Sequence, residues 1–242
     1  MLKIYTEEIK FHIRILTYPR NGTNKIFLSK TLASIYDQIY KNWHIHLVGD
    51  NYDPIEELYE ISSFLPKDKI TIRNARVESE RFKYTGMDLW HCGGVNAGNF
   101  SFDLMISEGA VFLCIMTDCD IWKPNHLSCL AFAYQNYPDV GLVYTKGGEK
   151  SLGIIPRENV TDIKYGNNPK MYSNTLYSSV SWRLDKTNLR FNNCVEQNEP
   201  SDADLWERME KSKSHGFKII HIPKETILHL SHKPIVSKKV MS

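Results

Sequence analysis

The sequence predicts an α/β fold: a mostly parallel sheet flanked by helices, with a smaller antiparallel extension toward the C-terminus. Three features carry that prediction. From about residue 11 to residue 145, short apolar runs alternate with segments of helical period. The most apolar of them, Ala110–Met116 (AVFLCIM), has no polar face and so fits a strand covered on both sides, as in a parallel sheet. After about residue 175 the alternation gives way to short strands around a charged helix.

His12–Thr17 (HIRILT) reads as the first strand and runs into the turn-rich stretch Tyr18–Asn24. The following helix takes Thr23 or Asn24 as N-cap and lines Leu28, Leu32, Ile35 and Ile39 along one face. Trp43–Val48 (WHIHLV) is the second strand, ending at Gly49-Asp50-Asn51. Pro54 opens a second helix with Ile55, Leu58 and Ile61 on one side, and Lys69–Arg73 (KITIR) is the third strand. Residues 75–95 show no period and read as a loop long enough to be functional. A helix over Val95–Ser107 leads into the central strand, and a helix after Pro124 and a strand at Val140–Tyr144 follow. Beyond them, Thr175–Leu184 alternates as a strand and Asp202–Ser212 forms a charged helix. Lys218–Ile222 and Glu225–Leu230 read as two short strands.

One domain over residues 1–242 accounts for this pattern, since no repeat, low-complexity tract or linker divides it. Lys and Arg number 30 against 28 Asp and Glu, too close a balance for a protein that coats nucleic acid or an anionic membrane. No run approaches the ~20 apolar residues of a membrane span, and MLKIYTEEIK lacks the apolar core of a signal peptide. The five cysteines are odd in number and lack CxxC spacing, which removes zinc ribbons and disulfide frameworks and leads us to expect a reducing, cytoplasmic location.

In open parallel sheets, ligands bind beyond the carboxyl ends of the strands. Three such ends are polar here: Thr17-Tyr18, Asp50, and Asp118-Cys119-Asp120. Asp50 suits a turn cap as well as a ligand contact. Asp118 and Asp120 place two like charges just past an apolar strand, where they repel unless a counter-ion lies between them. Mg²⁺ or Mn²⁺, held by one or two carboxylates and substrate phosphates, fits that oxygen-only pair. Two solvated turn aspartates are the plainer alternative.

The run Leu28–Asp50 contains Ser34-Ile35-x-x-Gln38-x-Tyr40-x-Asn42-Trp43, and Leu113–Leu127 reads LCIMTDCDIWKPNHL. In order and spacing, the two together resemble the GT-A-fold glycosyltransferases, glycosyltransferase family 2 in particular, with its Asp-x-Asp strand. The likeness covers about residues 11–145 well and the rest loosely. It implies a nucleotide-sugar-binding half over about 11–145 and an acceptor-binding half over about 146–242. The implied activity is a metal-dependent, inverting transfer of a hexosyl or deoxyhexosyl group to a hydroxyl of a glycan or other acceptor. The donor is a nucleotide-sugar, a UDP-sugar most commonly, with Mn²⁺ or Mg²⁺ as cofactor. Carried over by position, Thr17 and Tyr18 match the loop that contacts the nucleobase, and Asp50 matches the carboxylate that holds base or ribose. Arg73 and Asn96 fall in the donor region, Asp118 lies nearer the ribose and sugar, and Asp120 is the more direct metal ligand with Asp118 beside it. Asp202 matches the catalytic base, with Asp204 the second choice. His232, with His229 as its rival, matches a histidine near the diphosphate and metal.

Other readings of these residues stand beside the resemblance. Asp202 equally suits the N-cap of its helix, with Asp204 favouring the dipole. Trp90 and His91, next to Gly93 and Gly94, either face the sugar or pack a tight turn. The family's Arg-Asn pair before the Asp-x-Asp strand is absent, and its Glu-Asp pair at the base becomes Ser201-Asp202. A phosphohydrolase of the haloacid-dehalogenase type also carries Asp-x-Asp after an apolar strand, although in its first strand. A non-catalytic nucleotide- or sugar-binding module is the remaining alternative.

Overall fold

Four strands, Phe11–Thr17 (β1), Trp43–Asp50 (β2), Ile70–Ala75 (β3) and Phe112–Thr117 (β4), lie parallel in the order β3-β2-β1-β4. The computed structural model describes residues 8–20, 24–149, 153–155 and 175–230. Within them the sheet has nine strands, continuing from β4 through Val180–Arg183 (β8), Val140–Glu149 (β6) and Lys218–His229 (β9) to Asp120–Trp122 (β5). Gly153–Ile155 (β7) pairs with β6. β8 is antiparallel to both β4 and β6, which inserts the C-terminal extension directly into the sheet.

Helices cover both faces. Asn24–Tyr36 (α1), Glu56–Ile61 (α2) and His126–Asn136 (α5) bury Leu28, Leu32, Leu58 and Leu130 against Phe11, Ile13 and Ile45. On the other face Val95–Ser107 (α4) and Ser201–Lys211 (α6) bury Phe102, Met105, Leu205 and Trp206 against Leu113, Ile115 and Trp182. β4 therefore contributes to both cores, Cys114 and Met116 to one and Leu113 and Ile115 to the other, which is why its sequence has no polar face.

The polar residues of the Ser34–Trp43 run hold the fold together. Gln38 donates to the Ser34 and Lys123 carbonyls and accepts from the Leu127 amide, tying the end of α1 to the start of α5. Thr31 donates to the Asp120 carbonyl at 2.8 Å, and the Trp122 amide donates to Ser34 Oγ, so α1 fixes the backbone of β5. The buried Trp43 anchors the start of β2.

Some elements differ from their expected form. α1 ends at Tyr36, so Ile39 leaves the apolar face and is 67% exposed. The stretch 75–95 holds a 3-10 turn at Glu80–Phe82 and a short helix, Gly86–Cys92 (α3). Thr175–Leu184 divides into a 3-10 turn at Tyr177–Ser179 and β8. The two expected C-terminal strands form one, β9, running parallel to β6 with register shifts on both sides of Lys146. Pro223, which has no N–H for the ladder, sits at that irregularity and makes one strand look like two in sequence.

Candidate active site

At the carboxyl ends of β1 and β4 lies a cavity of about 400 Å³, closed on one side by the start of α4 and on another by the start of α6. Tyr18, Asp118, Asp202 and His229 line it together with Arg14, Arg20 and Arg81. Trp90 and His91 at the end of α3 form part of its rim.

Asp118 follows β4 directly, and Asp120 opens β5. Thr17 donates to Asp118 Oδ2 at 2.7 Å, and Arg20 pairs with Asp118 Oδ1 at 2.9 Å. Asp120, almost fully buried, receives Ser178 Oγ on Oδ2 and faces His229 Nδ1 at 2.6 Å through Oδ1. Two carboxylates and an imidazole are a donor set that a divalent Mn²⁺ or Mg²⁺ accepts. At 2.6 Å the Asp120 and His229 atoms are hydrogen-bonded to each other, closer than two ligands of one cation sit, so a cation there would replace that bond. Asp118 does not join them in a three-ligand cluster within 4.8 Å. His232 lies outside the described residues.

Asp50 ends β2 beneath the cavity wall. Its Oδ2 accepts from Arg81 Nε at 3.2 Å and from Ser79 Oγ at 3.1 Å. Arg81 in turn stacks on Tyr18, with its guanidinium carbon 3.3 Å from the ring centroid, and Arg20 lies 4.1 Å from the same ring. Tyr18 is thus flanked by two cations, which cation–π attraction holds in place. Asp50 reaches the cavity through this pair.

Glu80 occupies the amino end of α4, accepting from the Gly94 and Asn96 amides at 3.2 and 2.8 Å. Burial raises its pKa, against the lowering effect of those backbone donors. A carboxylate there complements the helix dipole and takes up the amides that a phosphate would otherwise use. Gly94, the N-cap, has φ +86°, and a Cβ on it would come within 2.7 Å of Leu16, so glycine is required.

Arg14 projects from the middle of β1 to the cavity floor and is 1% exposed. It donates to Ser101 Oγ at 2.7 Å and to the Tyr177 hydroxyl, with the rings of Phe102, Phe191 and Tyr177 within 6 Å. Among the described residues it has no carboxylate partner. Gly98 makes room for it, since a Cβ there would meet Arg14 Nη2 at 2.7 Å.

Asp202 is the second residue of α6, and Pro200 is the N-cap position, so the expected N-cap role does not fall to Asp202. Its Oδ1 accepts from the Ala203 amide at 3.0 Å, and burial raises the carboxyl above the usual range despite that bond. Ser201 donates to the His91 carbonyl, docking α6 on α3 at the cavity edge.

The remaining expected residues lie elsewhere. Asp204 is tied to Arg208 at 2.7 Å and to Asn192, and does not line the cavity. Arg73 is exposed on β3, an edge strand, bonded to the Ile72 carbonyl. Asn96 is exposed and donates to the Glu78 carbonyl. Arg81 and Glu80 carry no signal in the sequence, sitting in a stretch without period, and Tyr177 and Ser178 are hidden in a run that reads as a strand. Arg14 does carry one, as the one charge inside the apolar strand HIRILT.

No family model matches the chain. Over 235 residues, covering 93% of this chain and 95% of the relative, it is 32% identical to the uncharacterized glycosyltransferase R139 of Acanthamoeba polyphaga mimivirus. Its fold is similar to that of TarS 1–349 from S. aureus in complex with UDP, with a TM-score of 0.65 and 13% identity over 91% of this chain. It is also similar to the mannosyltransferase PcManGT from Pyrobaculum calidifontis in complex with GDP-Man and Mn²⁺, with a TM-score of 0.59 and 15% identity over 95% of this chain. The chain spans 60% and 59% of those two solved chains, respectively. Their likeness concerns the fold, which is of the GT-A type, while the viral relative matches over nearly its whole length. The phosphohydrolase reading of Asp-x-Asp does not survive that match, and the chain belongs to the glycosyltransferases.

Proposed function

We propose that this glycosyltransferase moves a hexosyl or deoxyhexosyl group from a nucleoside diphosphate sugar to a hydroxyl of a glycan or other acceptor, with inversion and with Mn²⁺ or Mg²⁺ bound. The observation that carries the reading is that one cavity gathers an Asp-x-Asp carboxylate (Asp118), three arginines and a carboxylate with a raised pKa (Asp202). The first group of residues suits a diphosphate leaving group and the last suits a proton acceptor. A uridine nucleotide is the favoured donor base, in line with the solved TarS–UDP complex. We assign donor binding to about residues 11–145 and acceptor binding to about 146–242. The five unpaired cysteines support a cytoplasmic location.

Tyr18 with Arg20 and Arg81 packed on its ring forms the wall that would meet the nucleobase, through the ring edge and the planar guanidinium groups, and Asp50 fixes Arg81 in that stack. Arg20 and Arg14 face the cavity as cations toward the diphosphate. Asp120, His229 and Asp118 would hold the metal, which when bound neutralises charge on the departing diphosphate. Trp90, 65% exposed at the rim, offers a stacking face to the acceptor. Asp202 takes the proton of the acceptor hydroxyl as its oxygen bonds to the anomeric carbon, and the bond from that carbon to the diphosphate oxygen breaks with its electron pair leaving on the diphosphate. The raised pKa of Asp202 brings the base nearer to neutral pH, where proton transfer is most effective.

Incubation of the purified protein with UDP-, GDP- and dTDP-sugars, with and without Mn²⁺, tests the reading. We expect nucleoside diphosphate release with one donor, dependent on the cation. Cation-independent release, or release of inorganic phosphate alone, would overturn it.

A further inference from the structure

At the opposite end of the sheet from the cavity, β1 and β2 begin with a cluster of histidines. His12 and His44 are register partners, and His46 follows two residues on, so all three rings stand on the α4 side of the sheet, with centroids 5.0 to 6.2 Å apart. Glu108, the C-cap of α4, comes down beside them. The five steps along β1 from His12 to Thr17 put the cluster roughly 16 Å from the cavity end of that strand.

His46 is fully buried and its two ring nitrogens differ. Nε2 lies 2.9 Å from His12 Nδ1, within hydrogen-bond distance. Nδ1 has no hydrogen-bond partner and lies 3.6 Å from Glu108 Oε2, beyond hydrogen-bond range. A buried, unpartnered nitrogen aimed at a carboxylate is costly when it carries no ligand. One ring nitrogen of His44 completes a set in which all three ligand atoms lie within 4.8 Å. Its Nδ1 lies 3.2 Å from the Asp68 carbonyl oxygen and its Nε2 2.8 Å from Thr71 Oγ1, so a cation takes the place of one of these contacts. At Zn–N and Zn–O lengths of about 2.0–2.1 Å, tetrahedral ligand atoms sit about 3.4 Å apart, close to the His46–Glu108 separation.

We propose that His44, His46 and Glu108 form a binding site for a transition-metal cation of the zinc type, separate from the glycosyl-transfer site. His46 binds through Nδ1, and its Nε2–H donates to His12 Nδ1, the outer hydrogen bond that metal-bound histidines commonly make. Two nitrogens and one carboxylate oxygen leave a fourth position for water. The bound cation pins the carboxyl end of α4 to β2. The amino end of the same helix, about 20 Å away, walls the active cavity.

Co²⁺ titration of the untagged protein, followed by visible absorption, reads this site directly. We expect one equivalent to give the intense bands of a nitrogen-containing tetrahedral centre, displaced by Zn²⁺, with Zn²⁺ also raising the melting temperature. Glu108→Ala changes an exposed side chain and should fold. It and His44→Gln should each weaken Co²⁺ binding at least tenfold, while Asp120→Asn leaves the bands unchanged. Absence of tetrahedral bands, bands that persist at native affinity in both Glu108→Ala and His44→Gln, or bands lost in Asp120→Asn overturns the proposal.

Discussion

His229 and Asp120 are direct cross-strand partners on β9 and β5, with Nδ1 2.6 Å from Oδ1. The last strand of the described chain thereby delivers an imidazole to the second aspartate of the Asp-x-Asp pair. Because Ser178 holds the other oxygen, the carboxylate is fully engaged by protein donors, and removing it outright would strand a buried hydroxyl and a ring nitrogen. Asp120→Asn keeps the shape and one acceptor oxygen. We expect it to lower Mn²⁺-dependent affinity for a nucleoside diphosphate at least tenfold, about 1.4 kcal/mol, with metal-free affinity unchanged in calorimetry. Native affinity at saturating Mn²⁺ would remove Asp120 from the metal site.

Asp50 acts through Arg81. Their contact, with Ser79 on the same oxygen, holds the guanidinium against Tyr18. In Asp50→Ala, Arg81 loses its ionic partner and the stacked surface loosens. Affinity for the free nucleoside diphosphate and for the intact sugar donor should fall by the same factor, about tenfold, because the lost contact concerns the nucleotide alone. A change confined to the sugar donor would move Asp50 to the other end of the ligand.

Arg14 is a buried cation without a carboxylate among the described residues, a costly arrangement for stability by itself. If it is kept for an anionic ligand, Arg14→Met should retain or raise the melting temperature while reducing kcat/KM at least tenfold. Methionine fills the aromatic surroundings of Phe102 and Phe191 without a charge to solvate. A lowered melting temperature with native kcat/KM would make Arg14 a packing residue only.

The kinds of contact involved decide which parts of the molecule are legible in the sequence. β1, β2 and β4 stand out because both of their faces are buried, which leaves apolar runs with little polar interruption. Asp118 and Asp120 stand out because charge at the end of such a run needs a reason. β5 is three residues long, too short for any period, so its pairing with β9, and with it the choice of His229, emerges only in three dimensions. Arg81 and Glu80 lie in a stretch whose short helical turns are set by tertiary contacts with Asp50 and the α4 amides. Arg73 and Asn96 show the converse: each is near the donor region along the chain, but one faces outward on an edge strand and the other bonds back to Glu78.

Asp202 carries the sharpest test of the transfer step, because its stability and its activity should change in opposite directions. Burial raises its folded-state pKa above 3.8, so the protonated form is the one the fold favours. That contribution is fully present below the unfolded pKa and is lost as pH rises through the raised folded value. Asp202→Asn cannot ionise, so at pH 7 it should melt at or above the native temperature, and the difference should shrink as pH falls toward ~4. Activity has the opposite sign. The base must be ionised, so native kcat should fall as pH drops through the same raised pKa, and Asp202→Asn should lose roughly 10²–10⁴-fold in kcat with donor affinity nearly unchanged. Asp204→Asn is the control, since that carboxylate is tied to Arg208 outside the cavity and its loss should leave kcat within a few-fold of native. Transfer by folded Asp202→Asn at close to the native rate would show that the proton goes elsewhere.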